Sequence, residues 1–368
     1  MKIVHDTACP MCIPRYDLNM KLLVLRIRMR LKRELLKLMK YQPHNYTSIV
    51  RAEKKPFSQV EKVANYSTPQ ISEVFDPRSG SMRGHYFNQR DIYIAHDVIL
   101  EPKLGLTYTI DGRLISESTN WSTSNLYESF PWNPKNVSSV VSVQPVINLT
   151  SNAFGHWLVE DLASTIYLID KYPSATVLIS KSRSRYVSEL VKFLDCRVIE
   201  IDGPVRVTQL LMITKENDSG WMNPKDLRVL ELFQNRIPNV ISEQNFKVYA
   251  TRRSLKRSPL NEPEMEIIFQ EYGYQVIKLE DLNFISEISL MKNVTHLAGV
   301  SGSWQFNSIW MKPNTTMIDI VNENYWTELA HRVCKLKEIK YQYLVYGGTF
   351  NSEVNLEHLR DFLDLIHS

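Results

Sequence analysis

The chain has 368 residues, 43% hydrophobic, 10% aromatic and 23% charged, which excludes a disordered chain and is enough for about two domains with full cores. The formal charge is +4, yet residues 21–40 carry Lys21, Arg26, Arg28, Arg30, Lys32, Arg33, Lys37 and Lys40 against Glu34 alone, so the remainder is net −3. A body that binds nucleic acid generally is excluded, and a local basic element is indicated.

At the N-terminus, Cys9 and Cys12 form a CPMC pair downstream of His5. No second pair with zinc-like spacing follows, so the alternatives are a metal or redox pair and an inert terminus. Cys196 and Cys334 stand alone in apolar surroundings and read as buried thiols. Residues 20–40 place Val24, Ile27, Leu31, Leu35 and Leu38 on one helical stripe, with Arg26, Arg30, Arg33, Lys37 and Lys40 on another. Such a basic amphipathic helix reads either as an element facing an anionic membrane or as a surface helix packed on its own domain. No run approaches the roughly 18–20 apolar residues of a membrane span, and the N-terminus lacks a signal-peptide core. The expected setting is therefore cytoplasmic, at the inner membrane face if the basic helix is the membrane-facing one and free of it if that helix packs on its own domain. Asn-x-Ser/Thr triplets, beginning at Asn45 and recurring to Asn314, leave the lumen of the secretory pathway as the alternative.

Residues 41–70 are polar, contain Pro43, Pro56 and Pro69, and read as a linker. From about 71 to 145 the pattern alternates in the β manner, with Asp111-Gly112 as a hairpin turn. Strand VSVQPVINL then leads to a helix over 153–171, strand ATVLIS, a helix over 183–194, strands CRVIEI and VTQLLMIT, and a helix from Asp226 that Pro238 ends. A second series follows: strand FKVYAT, the basic turn RRSLKRS and a helix over 262–272. Asn261 and Glu264 stand at capping-box spacing at its start, and Gly273 ends it. Strand YQVIKL, helix 285–292, strand THLAGV, helix 303–311, strand TMIDIV and a closing helix over 353–366 complete the chain. Alternation of this kind predicts an α/β protein with parallel sheets covered by helices. The expected division is 1–70 as an extension, 71–240 and 241–350 as two Rossmann-like domains facing a cleft, and 351–368 as a final helix.

Ligands of parallel α/β sheets sit at the carboxyl ends of strands, beside helix N-termini. Strand FKVYAT delivers Arg252, Arg253, Lys256 and Arg257 to that edge, and strand THLAGV delivers Gly299 to Ser303 just before a helix. Glycines permit close backbone approach and a helix N-terminus favours an anion, so the convergence describes a diphosphate site; each part alone reads as an ordinary basic surface turn or helix start.

The stretch from YATRRSLKRSPLNEPE through THLAGVSGSWQFNSIWMKPNTTMIDI resembles the C-terminal half of glycosyltransferase family 61. In that family a strand ends in SRR, a basic loop leads to NE, and a later strand ends in G-x-H-G-A. The upstream FGHWLVEDL resembles the family segment YGHWLLDxLPR, and the resemblance spans about 80 to 322. It implies an inverting transferase of the GT-B fold that takes a sugar from a nucleotide sugar, usually a UDP-sugar, to a glycan or polysaccharide hydroxyl. It implies no cofactor and no essential metal; the chain has no Asp-x-Asp. Charge on the leaving diphosphate then falls to cationic side chains and backbone N–H groups. Arg252 or Arg253, Lys256 or Arg257, Ser301, Gly302, Ser303 and the amides that follow are suited to it. Asn261 and Asn307 fall on asparagines of the family pattern and either bind nucleotide or brace the loop.

An inverting transfer needs a base for the acceptor hydroxyl. His156, Glu160 and Asp161 start the first helix of the acceptor-side domain. Glu160 aligns with the family's acidic position and shares an α-helical face with His156, so the expected pair is His156–Glu160; the bland alternative is a helix-start histidine beside a surface acid pair. Departures from the family are Ser301-Gly302-Ser303 in place of His-Gly-Ala, Glu287 in place of Gln, and Ala163-Ser164 in place of Pro-Arg. They leave a second reading, a non-catalytic relative that binds a nucleotide or glycan as a partner subunit. Trp121, Tyr127, Phe130 and Trp132 are suited either to stacking on sugar rings or to anchoring their loop.

Overall fold

The computed structural model describes residues 60–368 except 69, 88, 104, 111–114, 116–117, 119–136, 141–143, 151–153, 215–221, 242–244, 254–256 and 327. The basic segment 20–40, Cys9 and Cys12, the Asp111-Gly112 turn, the aromatics Trp121, Tyr127, Phe130 and Trp132, and Lys256 lie outside the described residues.

The chain order begins with β1 (Val60–Ser67), the ribbon of β2 (Gln70–Asp76) and β3 (Ser81–Phe87), and the long β4 (Arg90–Glu101) with its antiparallel partner β5 (Leu106–Thr109). After β6 (Ser138–Val140) and β7 (Val146–Leu149) comes one continuous helical rod: α1 (Phe154–His156), a π-helical stretch over Trp157–Leu162, and α2 (Ala163–Lys171). Then follow β8 (Thr176–Ser180), α3 (Arg185–Leu190), β9 (Arg197–Ile201), β10 (Val205–Ile213) and α4 (Pro224–Gln234). The first sheet runs β1-β4-β10-β7-β8-β9, with β5 on β4 and β6 on β10. Strands β10, β7, β8 and β9 are parallel, while β4 and β1 extend the sheet antiparallel. All five residues of β8 are buried, as an interior parallel strand covered on both faces requires.

Residues 60–67, expected within a linker, are an edge strand of this sheet. Polarity hid β1, whose main anchor is Tyr66: its ring is buried and its hydroxyl donates to Asp226 Oδ1 at 2.5 Å. The helix expected from Asp226 starts earlier, at Pro224. The Asn223 side chain accepts from the amides of Lys225 and Asp226, and Asp226 Oδ2 accepts from the Asn223 amide.

The second series is β11 (Phe246–Ala250), α5 (Glu262–Glu271), β12 (Gln275–Ile277), α6 (Phe284–Met291), β13 (Val294–Val300), a 3-10 helix over Ser303–Trp310, β14 (Thr316–Asn322), α7 (Glu328–Leu336), β15 (Lys340–Tyr346) and α8 (Leu356–His367). Every pairing is parallel, in the order β12-β11-β13-β14-β15. Strand β14 is buried along all seven residues and β15 forms the exposed edge. The closing helix α8 packs on this sheet, placing Leu359 and Leu363 among Tyr249, Phe269 and Ile318.

The described residues fall in one compact unit. One apolar core continues from Ile147 and Leu149 of β7, through Trp157, to Phe284, Trp310 and Met317 of the second series. Fully buried Trp157 lies 4.5 Å, centroid to centroid, from Tyr186 and 5.7 Å from Phe284.

A buried ion pair ties the first sheet to its helices. Arg90 Nη1 reaches both carboxylate oxygens of Asp226 at 3.1 and 3.0 Å, Nε donates to Thr214 O at 2.7 Å, and Nη2 donates to Ser164 Oγ at 2.7 Å. Removing one partner of such a pair leaves the other charge uncompensated. Asp226→Ala is therefore expected to lower unfolding free energy by about 3–5 kcal/mol in a urea titration. Leu365→Ala, at a side chain 77% exposed, should stay within about 0.5 kcal/mol of the parent.

Candidate active site

The strand order of the second sheet defines where a ligand enters. Numbering its strands along the chain gives the order 2-1-3-4-5, in which the connections reverse between β11 and β13, and the crevice lies at the carboxyl ends of those two strands. An open crevice of about 370 Å³ occupies that position, lined by Thr251 and Arg252 after β11, Leu279 and Glu280 after β12, and Ser303 and Trp304 after β13.

Arg252 forms the cationic floor and is only 9% exposed. Its Nη1 donates to Ser301 O at 3.0 Å, which ties the end of β11 to the turn after β13. Burial holds the guanidinium below its ordinary pKa, and the nearby charge of Arg257 pushes the same way. Arg252 thus carries a charge that its surroundings solvate poorly, beside a second cation, and an anion in the crevice would relieve both effects. Gly302 is extended, with φ 176°, so its backbone does not demand glycine. The reason is space, because a Cβ there would overlap the Arg252 guanidinium. Gly299 is likewise enclosed, by Ala250 O and the Trp304 ring.

The loop carrying Arg252 is clamped by Glu262, a fully buried carboxylate in the first turn of α5. Glu262 Oε1 accepts from the Arg252 amide at 2.7 Å and from Tyr249 OH at 3.3 Å, and Oε2 accepts from Ser258 Oγ. Arg253 turns instead to an ion pair with Glu266. Arg257, at φ 68°, stacks its guanidinium 4.0 Å from the Tyr325 ring centroid. Of the adjacent arginines, Arg252 lines the crevice.

Three polar residues expected near a nucleotide have protein partners. Asn261 does not cap α5 with Glu264. Its Nδ2 donates to Val354 O at 2.8 Å and its Oδ1 accepts from the Val354 amide at 2.9 Å, which braces the loop against the segment before α8. Asn307 is buried, with Nδ2 donating to Glu287 Oε1 at 2.6 Å. The Ser301 hydroxyl points down rather than into the crevice, donating to Asp319 Oδ1 at 2.6 Å. Tyr341 OH donates to Asp319 Oδ2 at 2.6 Å. Burial pushes the Asp319 carboxyl up to about 6 against the hydrogen bonds that hold it down. The Gly302 amide donates to Gln305 Oε1 at 3.0 Å, leaving Ser303 as the residue of the turn that lines the crevice. Asp319, Glu262 and Gln305 were not singled out from sequence. Only Glu262 carried a signal, as the glutamate of the NE pair.

The second half of the candidate site is the rod beginning at Phe154. Gly155 packs against Phe306 of the 3-10 helix so closely that a Cβ would overlap the ring. This contact brings the segment that carries His156 onto the same helix that opens at Ser303. His156 ends α1, and Glu160 and Asp161 lie in the π-helical stretch. The α-helical spacing expected for His156 and Glu160 is therefore replaced by winding that closes to the fifth residue, a feature frequent at functional sites. The side chains of His156 and Glu160 lie outside what is described. Asp161 is no surface acid: it is 4% exposed and lines a cavity under α2.

Residues 154–318, from the start of the rod into β14, match the family model described as Glycosyltransferase 61, which places the chain among the glycosyltransferases. This match supports the resemblance to glycosyltransferase family 61 read from the sequence. None of the curated proteins matches it.

Glu287 gives this site a pH signature. Burial pushes its carboxyl up to about 8, opposed by the Asn307 hydrogen bond. The folded chain then holds a proton at neutral pH that the unfolded chain has lost, so stability falls as pH rises from about 4.5 towards 8. Thermal unfolding across that range should show a shallower fall for Glu287→Gln than for the parent. Parallel curves would contradict the assignment.

Proposed function

We propose that this glycosyltransferase inverts configuration at the anomeric carbon and takes its sugar from a nucleoside diphosphate donor, with UDP as carrier. The observation that carries the reading is Arg252, a buried cation on the floor of the switch-point crevice, with a glycine at 302 making room for it. In the proposed step the acceptor hydroxyl oxygen bonds to C1 of the donor sugar. The bond from C1 to the β-phosphate oxygen breaks, and its electron pair leaves with the nucleoside diphosphate. The acceptor proton passes to a base. Arg252, seconded by Arg257, meets the charge that grows on the leaving diphosphate, and a cation in a poorly solvated crevice is worth more there than in water.

We assign the base function to His156 with Glu160, one taking the proton and the other orienting it. Supporting this are the family match across the segment and the Gly155–Phe306 contact, which ties the rod to the 3-10 helix beginning at the crevice. In this reading residues 241–350 form the donor half of a GT-B arrangement and residues 71–240 the acceptor half. The sequence contains no Asp-x-Asp clamp, which supports a transfer without an essential metal. A non-catalytic role as a binding subunit is favoured by one observation, the inward turn of the Ser301 hydroxyl where the family pattern has an imidazole.

Thermal unfolding with UDP, CMP, GDP and ADP, each with and without EDTA, tests the donor. At about 100 times its dissociation constant a ligand adds roughly 2.7 kcal/mol. UDP is expected to stabilise the parent regardless of EDTA and to leave Arg252→Met unmoved. Stabilisation by no nucleotide would contradict the donor reading. For the base, Glu160→Gln should keep UDP binding and lose roughly 10²–10⁴-fold in transfer rate. Unchanged turnover would remove Glu160 from the mechanism, and UDP binding without turnover in the parent would favour the binding-subunit reading.

A further inference from the structure

The first sheet has its own reversal point. From β7 the chain steps outward through β8 to β9, then returns to the other side of β7 as β10. The ladder between β10 and β7 has a single register position, Leu210 opposite Val146. Beyond it the two strands part, and a crevice occupies the gap and the space beneath α2. A reversal point in a parallel sheet is where small-molecule sites form.

The walls of the crevice are of two kinds. Leu211 and Ile213 of β10 supply an aliphatic side, whereas Asn148, Thr150, Asp161 and Ser164 supply oxygens. Asn148 Nδ2 is spent on Pro102 O at 3.2 Å, so the amide turns its Oδ1 elsewhere, and that oxygen has no protein partner. The Thr150 hydroxyl, in a residue 3% exposed, also has none. Ser164 Oγ already accepts from Arg90 Nη2. The wall therefore offers mostly acceptors and calls for a ligand rich in hydroxyl donors, while the aliphatic side fits a face made of C–H groups. A pyranose ring has both: equatorial hydroxyls around its edge and axial C–H groups on its faces. Burying Thr150 Oγ1 and Asn148 Oδ1 without partners costs free energy that a bound polyol would recover.

We infer that this crevice binds a sugar ring of the acceptor, with Thr150 and Asn148 as its hydrogen-bonding residues. The inference rests on the glycosyltransferase reading. It adds a place for the acceptor: Thr150 directly follows β7, in the segment leading to the rod whose Gly155 touches the 3-10 helix that opens at the donor crevice.

The test uses the full chain and Thr150→Val, which keeps the side-chain shape and removes the hydroxyl. Saturation-transfer NMR is recorded with the methyl β-glycosides of glucose, galactose, xylose and N-acetylglucosamine, with UDP binding measured on the same samples. At least one glycoside should bind the parent, and Thr150→Val should weaken it about fivefold to tenfold. In the absence of sugar, Thr150→Val should unfold at the same temperature as the parent or higher, because it deletes a hydroxyl that lacks a partner. Binding of none of the glycosides, equal binding to both proteins, or a lower unfolding temperature for Thr150→Val would each overturn the assignment. UDP binding by the parent with no such glycoside effect rejects the crevice alone. A parent that binds no nucleotide rejects the underlying donor reading.

Discussion

The contact on which the rest of the site depends is the approach of Gly155 to Phe306. It is possible only without a Cβ, and it seats the start of a helix from the first sheet on the 3-10 helix that opens at the crevice of the second. Trp157, two residues on, fills the space between Tyr186 and Phe284 and is fully buried. The seam between the two sheets is consequently a packed aromatic core rather than a solvent-filled gap. Truncating a tryptophan in such a place typically costs about 3–5 kcal/mol. The orientation of the rod is therefore set by packing of considerable energy, and the segment that carries His156 and Glu160 inherits that rigidity.

Around this seam the buried charges share one design. Glu262 receives the Arg252 amide, the Tyr249 hydroxyl and the Ser258 hydroxyl, so the loop at the crevice is held by a carboxylate spent on its own backbone and neighbours. Asp319 holds the Ser301 hydroxyl from below and is held in turn by Tyr341. Asp226 satisfies Arg90, Tyr66 and the cap of α4 at once. Networks satisfied in this way define one geometry, and a half-satisfied version would be costly. Arg252 differs from them because it combines burial, a neighbouring cation and a wall of the open crevice.

How much of this could be read from sequence followed the range of the forces involved. The strand-helix alternation of both series was legible because parallel strands such as TVLIS and TMIDIVN are buried along their whole length. The meeting of Arg252 with Gly302 was legible too, since strand ends of one parallel sheet share an edge. The π winding over Trp157–Leu162 was not, because one extra residue in a turn leaves the apolar pattern nearly unchanged. Asn261 stood at cap spacing but does not cap. Of its other two readings, binding nucleotide or bracing the loop, the structure shows the brace, and sequence could not choose because the partner Val354 lies 93 residues away. Residues 60–67 looked like a linker because their burial comes chiefly through Tyr66, whose partner Asp226 is 160 residues away. Local chemistry predicts local structure; which polar side chain meets which distant partner is decided by the fold.

The measurement that bears most directly on the central claim is a crystal structure of the full chain with UDP. The account predicts diphosphate density at the β11–β13 crevice, within hydrogen-bonding distance of the Arg252 guanidinium and beside Ser303. Nucleotide density at another place, or an empty crevice at saturating UDP, would contradict it.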